Sequence, residues 1–381
     1  MISRTDVSRA IRNLTDGPRR PAGRVAREVA ICDEAEALPE ASAGADGLPR
    51  LGARLQIEAG PDGARLWMAR VGEAVHLPRM GAIVDNAGRL LRASANEVDQ
   101  YDPGFRSFPY FRRREGRLSF SPPEDAPRFG PSTVWLPFHA TYNYGHFILD
   151  ALPSLLAAEE LGALGRMPAI TPPLKPWQEA LLGLAFGERL PRERTPAFAV
   201  RLDEALYASS MDNFLHAPAP IVARLRERML ARVPAERARG PRRVYLSRRG
   251  WSMRVMLNEA QVEAALRARG FETLQPEGLS VVEQAALMRD AEVVVAPTGA
   301  GLANAFFAPV EARVIEIKPL GFGGPWVSAF RRVLGGGCTV LTIPEAAPRR
   351  EVPLRHRLRL GFRFAYQTPM DELLAAVDAA L

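Results

Sequence analysis

Lysine is nearly missing from this chain. Lys175 and Lys318 are the only two among 50 basic residues, and arginine supplies the rest. Cysteine is as scarce: Cys32 and Cys338 stand far apart in unlike surroundings, so neither a disulfide framework nor a zinc spacing can be read, which fits a reducing compartment. No apolar run reaches transmembrane length. The stretch from Met1 to Gly17 has no apolar centre of the kind a secretory leader carries, so a cytoplasmic location is the default expectation. There is no Gly-x-Ser-x-Gly elbow and no Gly-x-x-x-x-Gly-Lys-Ser/Thr loop, which leaves a serine hydrolase and a P-loop kinase without support.

What remains is an ordinary globular composition. The 381 residues are 47% hydrophobic and 24% charged, enough for two or three domains with sizeable cores. The formal net charge is +7. A basic balance admits nucleic acid, an anionic membrane surface or phosphorylated small molecules. Arginine suits bidentate phosphate contacts better than lysine does. Arg112, Arg113 and Arg114 lie beside Tyr110 and Phe111, but three arginines in a loop read as a solvated surface, so no nucleic-acid partner is expected.

Along the chain, residues 1–50 read as a weakly structured arm, with Pro18, Pro21, Pro39 and the small residues of 41–47. Short strands and turns follow over 51–120, with strands expected at 64–71, 74–77 and 81–84 and a turn at 85–88 leading into 89–92. A strand at 132–138 runs into Tyr142-Asn143-Tyr144-Gly145-His146, where Asn143 suits a helix N-cap. His146 and Asp150, four apart, then share a helix face, and Pro153 demands a kink or restart. Such a pair beside a strand end can serve as acid, base or sugar ligand, or simply be a structurally held helix turn. Residues 155–235 alternate helix with proline-rich links, and 200–208 reads as one strand. The basic stretch 221–239 reads as a connecting helix broken near Pro234, with peripheral contact to an anionic membrane surface as its second reading.

From Arg242 the pattern becomes regular. Strands are expected at 243–247, 271–275, 292–296, 313–317 and 338–343, with helices at 259–269, 281–289 and 326–334 between them. Gly270 sits where a helix ends, and Ser280 with Glu283 forms a capping box. This is a doubly wound α/β sheet whose ligand belongs beyond the carboxyl ends of its strands. Two segments lie there: Ser247-Arg248-Arg249 and Thr298-Gly299-Ala300-Gly301. A glycine turn followed by a helix at 302–308 offers backbone N–H groups and a positive dipole to an anion, or is no more than a tight turn. A final helix at 371–381 is expected to pack back on the first half.

Three pieces in this order resemble glycosyltransferase family 61. They are Tyr142 to Pro153; Tyr245-Leu246-Ser247-Arg248 with Arg254 and Asn258-Glu259; and Gly270-Phe271-Glu272, Pro276-Glu277, Leu279-Ser280, Glu283-Gln284, Pro297 to Asn304, Phe307 and Val314-Ile315-Glu316. The resemblance covers roughly residues 60 to 345. It implies a GT-B-like architecture of two Rossmann-like halves facing a cleft, with a β-rich N-terminal segment. The domains would then be an acceptor-side domain at 51–238, a nucleotide-sugar-binding domain at 239–345, and an extension with a helix at 346–381. It also implies inverting, metal-independent transfer from a nucleotide-sugar, UDP-linked, to a bacterial surface polysaccharide or glycolipid, with no other cofactor, in the cytoplasm or peripherally at the inner membrane. Many members carry His where this chain has Thr298, whose hydroxyl can donate to a phosphate but supplies no titrating cation.

Without a metal, arginines and backbone N–H groups must stabilise the leaving diphosphate. The candidates are Arg248, Arg254, Thr298, Gly299, Ala300 and Gly301. Glu316 is placed to take ribose hydroxyls or to pair with an arginine. Asn258 and Glu259 read as an N-cap and a first-turn acid. His146 and Asp150 are the candidates for the base, with Asp150 orienting His146 in one version. The alternative is a non-catalytic nucleotide- or glycan-binding protein on the same fold.

Overall fold

The computed structural model describes residues 27–59, 65–95, 108, 110–209, 211, 217–235, 241–251, 254–320, 324–343 and 365–381. The chain divides into two compact units, Met1–Leu225 and Arg226–Leu381. Of the expected N-terminal arm, residues 1–26 lie outside the described residues, as do 236–239 of the basic stretch and 346–364 of the extension.

The strands of the first unit are β1 (Arg27–Cys32), β2 (Ala53–Ala59), β3 (Arg65–Val71), β4 (Ala74–His76), β5 (Ile83–Asp85), β6 (Arg89–Leu91), β7 (Phe111–Arg114), β8 (Arg117–Phe120), β9 (Arg128–Phe129), β10 (Ser132–Val134), β11 (Ala169–Thr171), β12 (Arg192–Arg194), β13 (Val200–Leu202) and β14 (Ala205–Ala208). One sheet runs β7-β8-β1-β6-β5-β4-β13-β9. Its β1 lies within the stretch whose prolines mark it as an arm; Val29 enters the core beside Leu118 and Phe120, and pairing with β6 and β8 holds both edges. Arg112 to Arg114 form part of β7 and not a loop, with Phe111 turned inward and Arg112 and Arg114 exposed. The stretch 200–208 divides at Asp203 and Glu204 into β13 and β14, which join different sheets.

The second sheet runs β12-β11-β10-β14-β3-β2. The first four strands of that order are parallel, and β3 and β2 extend it antiparallel. Helices α1 (Leu152–Glu160) and α2 (Pro176–Phe186) carry the chain from β10 to β11 and from β11 to β12. The chain then returns to the other side of β10 to lay down β14. The winding therefore reverses between β10 and β14, which is where a ligand crevice is expected in such sheets. Helix α3 (Ala219–Leu230) ends ahead of Pro234.

The second unit has β15 (Arg243–Leu246), β16 (Val255–Met256), β17 (Glu272–Leu274), β18 (Val293–Pro297), β19 (Arg313–Pro319), β20 (Cys338–Ile343) and β21 (Ala365–Tyr366). Its main sheet, β17-β15-β18-β19-β20, is wholly parallel. The winding reverses between β15 and β18. Helices α4 (Glu259–Arg267), α5 (Val281–Arg289) and α6 (Trp326–Val333) connect the strands, and the Ser280–Glu283 capping box opens α5. The final helix, α7 (Met370–Asp378), corrects the expectation that it packs on the first half. Its Leu373 and Val377, one turn apart, belong to the core of the second unit with Tyr245, Leu266 and Ile315. The short helix expected at 302–308 is present as a 3-10 helix, Ala300–Phe306.

Candidate active site

The register Tyr245↔Val295 sets the carboxyl ends of β15 and β18 side by side. β15 delivers Ser247 and Arg248 there; β18 delivers Thr298 and Gly299. Two buried carboxylates, one turn apart on α4, hold the first of these loops. Glu259 Oε1 accepts from the Arg248 backbone N–H at 2.7 Å and from the Tyr245 hydroxyl at 3.1 Å. Ser247 Oγ lies 3.0 Å from Glu259 Oε1 and 2.9 Å from Glu263 Oε1, and Arg249 pairs with Glu263. Glu259 is thus a clamp behind Arg248 rather than only a first-turn acid. Asn258 makes no side-chain cap; its amide bonds the backbone of Thr368 in both directions, at 2.8 and 2.9 Å.

Gly299 shows why this turn needs a glycine. A Cβ there would overlap Arg248 Nη1, sit 2.9 Å from Arg248 Cζ and lie 3.4 Å from Arg254 Nη2. The two guanidinium groups therefore converge over the Gly299 backbone. Arg254 is one of few non-glycine residues with positive φ, at 52°, in line with backbone strain stored at functional positions. Burial pushes the Arg248 guanidinium below its ordinary pKa, opposed by the neighbouring Tyr366 and Glu259. The indole of Trp251 lies 5.5 Å from Arg248 Cζ and its N–H donates to Glu277 at 2.8 Å. The first bond of the 3-10 helix is Leu302 N–H to Gly299 O, so the Ala300 and Gly301 N–H groups precede it. With only seven residues in that helix, the positive charge at this turn comes from the arginines more than from a helix dipole.

Behind the turn, Asn304 donates to Gln284 Oε1 at 2.8 Å and to Gly301 O at 3.0 Å, while Gln284 donates to the Pro276 and Leu279 carbonyls. These residues hold the turn to the 276–279 loop. Thr298 is tied to β19 by its N–H to Ile317 O at 2.9 Å, and its hydroxyl is buried beside Glu316. Glu316 lies inside β19, is fully buried and makes no ion pair with an arginine among the described residues. Burial raises its pKa, with the Thr298 hydroxyl and Lys318 pulling the other way.

In the first unit, Asn143 caps the turn Tyr144–His146, accepting from Gly145 N at 2.9 Å and His146 N at 3.3 Å. A π-turn, Phe147–Ala151, follows, and α1 restarts with Pro153 in its first turn, where a missing N–H costs nothing. The π-turn keeps His146 and Asp150 in contact: His146 Nδ1 lies 2.6 Å from Asp150 Oδ2. A donated Nδ1–H leaves Nε2 as the basic nitrogen. Asp150 is buried, and its backbone carbonyl accepts from Ser154 Oγ at 2.8 Å. His139, which the sequence reading passed over, stacks near His146 with ring centroids 5.0 Å apart. Burial, with the neighbouring His146 adding to it, pushes the His139 pKa to about 4, so it is neutral at pH 7. Asp150 and Ser154 also line a small, open-mouthed cavity at the carboxyl ends of β10 and β14, with Trp135, Pro137, Tyr207 and Ser209.

A parallel sheet whose winding reverses at a glycine turn has its ligand crevice expected there, beyond the carboxyl ends of its strands. Residues 144–315 match the model of a glycosyltransferase family, Glycosyltransferase 61. Over 82 residues the chain is 43% identical to the β-1,2-xylosyltransferase XAX1 of Oryza sativa subsp. japonica. That stretch is 21% of this chain, and the match spans 14% of the relative's length. Among the described residues, no cluster of three His, Cys, Asp or Glu side chains is placed to hold a metal, and no helix is long and apolar enough to cross a membrane.

Proposed function

We propose that this protein is an inverting glycosyltransferase that moves a sugar from a nucleoside-diphosphate sugar, UDP-linked, to a glycan or glycolipid acceptor without an essential metal ion. We read its two units as the halves of a GT-B architecture. The observation that carries the reading is the convergence of Arg248 and Arg254 on Gly299 at the β15/β18 reversal. Negative charge grows on the leaving diphosphate as the glycosidic bond breaks, and preorganised guanidinium groups with the Ala300 and Gly301 N–H groups stabilise it. His146, oriented by Asp150, removes the acceptor hydroxyl proton at Nε2 as that oxygen attacks the anomeric carbon from the face opposite the diphosphate. The acceptor class is a bacterial surface polysaccharide or glycolipid met on the cytoplasmic side. The rice relative adds UDP-xylose to the donors worth trying.

Calorimetric titration with UDP, GDP and CMP, with and without EDTA, tests the reading. Saturable UDP binding that survives chelation is expected. Arg248→Ala should weaken it by roughly 1.5–3 kcal/mol, the worth of charge-assisted hydrogen bonds. Unchanged affinity would remove Arg248 from the site. Thr298 favours a second reading, a nucleotide- or glycan-binding protein without catalysis. Tight nucleotide binding with neither transfer nor donor hydrolysis across a panel of acceptors would select it.

A further inference from the structure

The described part of the C-terminal extension lies beyond residue 315, where the family match ends, yet it runs beside the anion site. β21 pairs in parallel with β16, with Val255↔Ala365 and Met256↔Tyr366 in register. β16 starts directly after Arg254. Leu257 N–H donates to Tyr366 O at 2.8 Å, and the two bonds between Asn258 and Thr368 fix the strand's exit. Leu373 and Val377 of α7 then anchor the extension in the core.

This threading buries Tyr366 completely, with its ring in the cluster that holds Tyr245 and Met256. Its hydroxyl is also buried and has no hydrogen-bond partner among the described residues. The charged groups around that hydroxyl are Arg248, Glu259 and Arg254. Glu259 Oε1 is already occupied by Tyr245, Ser247 and the Arg248 N–H. A phenol cannot donate to a guanidinium, because arginine has donors only. A buried O–H left unmade costs about 1–3 kcal/mol. An anionic oxygen set among them accepts from the O–H and from the guanidinium groups together.

We propose that Tyr366 is a further donor-binding residue, its hydroxyl donating to a phosphate oxygen of the nucleoside diphosphate held by Arg248 and Arg254. The assignment rests on the functional reading above and extends the site into the C-terminal segment. Burial raises the phenol's pKa well above its ordinary value, so it keeps its proton for donation.

The test is Tyr366→Phe in the full-length chain, titrated with UDP and with uridine, with the melting temperature of the ligand-free protein measured alongside. Phe keeps the ring and removes only the unmatched hydroxyl, so the ligand-free protein should melt at the same temperature or higher. UDP should bind about tenfold more weakly, the loss of one hydrogen bond to a charged group. Uridine, which has no phosphate, should compete equally well against both proteins. Equal UDP affinity overturns the assignment. A lowered melting temperature of the ligand-free variant overturns it too, by marking the hydroxyl as structural. Failure of the wild-type protein to bind any nucleoside diphosphate would bring down the functional reading itself, an outcome distinct from wild-type binding that Tyr366→Phe leaves unchanged.

Discussion

At the β15/β18 reversal the crevice carries two guanidinium groups over a glycine; at the β10/β14 reversal it carries a carboxylate, hydroxyls and, through that carboxylate, an imidazole. The topology is the same device in both units, a parallel sheet whose winding changes direction, and it fixes only where a ligand can sit. The side chains that end the strands decide what sits there. In the second unit the acids are kept behind the site, Glu259 and Glu263 clamping the loop that carries Arg248, so the crevice is left cationic. In the first unit Asp150 itself reaches the crevice, on a π-turn that a regular helix through Pro153 would not provide. Under the proposed function the difference is a division of labour: one crevice takes the departing anion, the other the departing proton.

Asp150→Asn should give the largest effect and tests that division most sharply. The amide keeps the shape but no longer stabilises a protonated His146, so turnover should fall 10²–10⁴-fold, the usual share of general acid–base catalysis, or about 3–5 kcal/mol. UDP affinity should be unchanged, because the anion site belongs to the other unit. Loss of UDP binding in this variant would break the comparison.

Next in size is a stability effect confined to the first unit. Glu34 is 3% exposed, accepts from the Ala93 N–H at 2.9 Å and faces the Tyr207 hydroxyl at 3.4 Å; Ala93 and Tyr207 line the cavity. Burial pushes its pKa from 4.5 up to about 7. The folded state therefore holds this proton more tightly than the unfolded chain does. Its stabilising share is complete below pH 4.5 and is lost as the pH rises through about 7, on the order of 3 kcal/mol. Urea unfolding at pH 5 and pH 8 should show that decline, and Glu34→Gln should flatten it. A variant as pH-dependent as the wild type would assign the slope to another group.

The parts of this molecule that were legible in the sequence are those set by local signals. The Val293–Val295 run, the Ser280–Glu283 box and the Asn143 cap each depend on residues within a turn of one another, and each is present. The segments that bracket the anion site, 247–249 and 298–301, follow from the same local βα alternation. What could not be read comes from distant pairing. Tyr366 comes level with Met256, two residues on from Arg254, only because β21 joins β16 across a long intervening stretch. Glu259 and Glu263 look like ordinary helix-surface acids until α4 packs over the Ser247 loop. Glu316 reads from the sequence as one of its strand's last residues, but β19 runs on to Pro319 and Glu316 lies buried inside it. The final helix shows an apolar stripe, but a stripe does not name the sheet it will cover.

The smallest expected effect gives the closest look at the cationic crevice, by comparing its two glycines. Gly299→Ala would drive its Cβ into the Arg248 guanidinium, whereas at Gly301 an added Cβ meets Pro276 Cγ at 3.6 Å, an ordinary contact. The backbone at Gly299 is extended, so alanine meets no conformational bar there. The guanidinium is the end of a flexible side chain and can swing aside, so Gly299→Ala should change stability by less than about 1 kcal/mol. Swinging aside takes Arg248 off the position it shares with Arg254, and UDP affinity should drop about tenfold, or about 1.4 kcal/mol. Gly301→Ala should leave both quantities near wild type. If the two alanines behave alike, steric access at Gly299 is not what positions Arg248, and the α4 carboxylates alone must hold it.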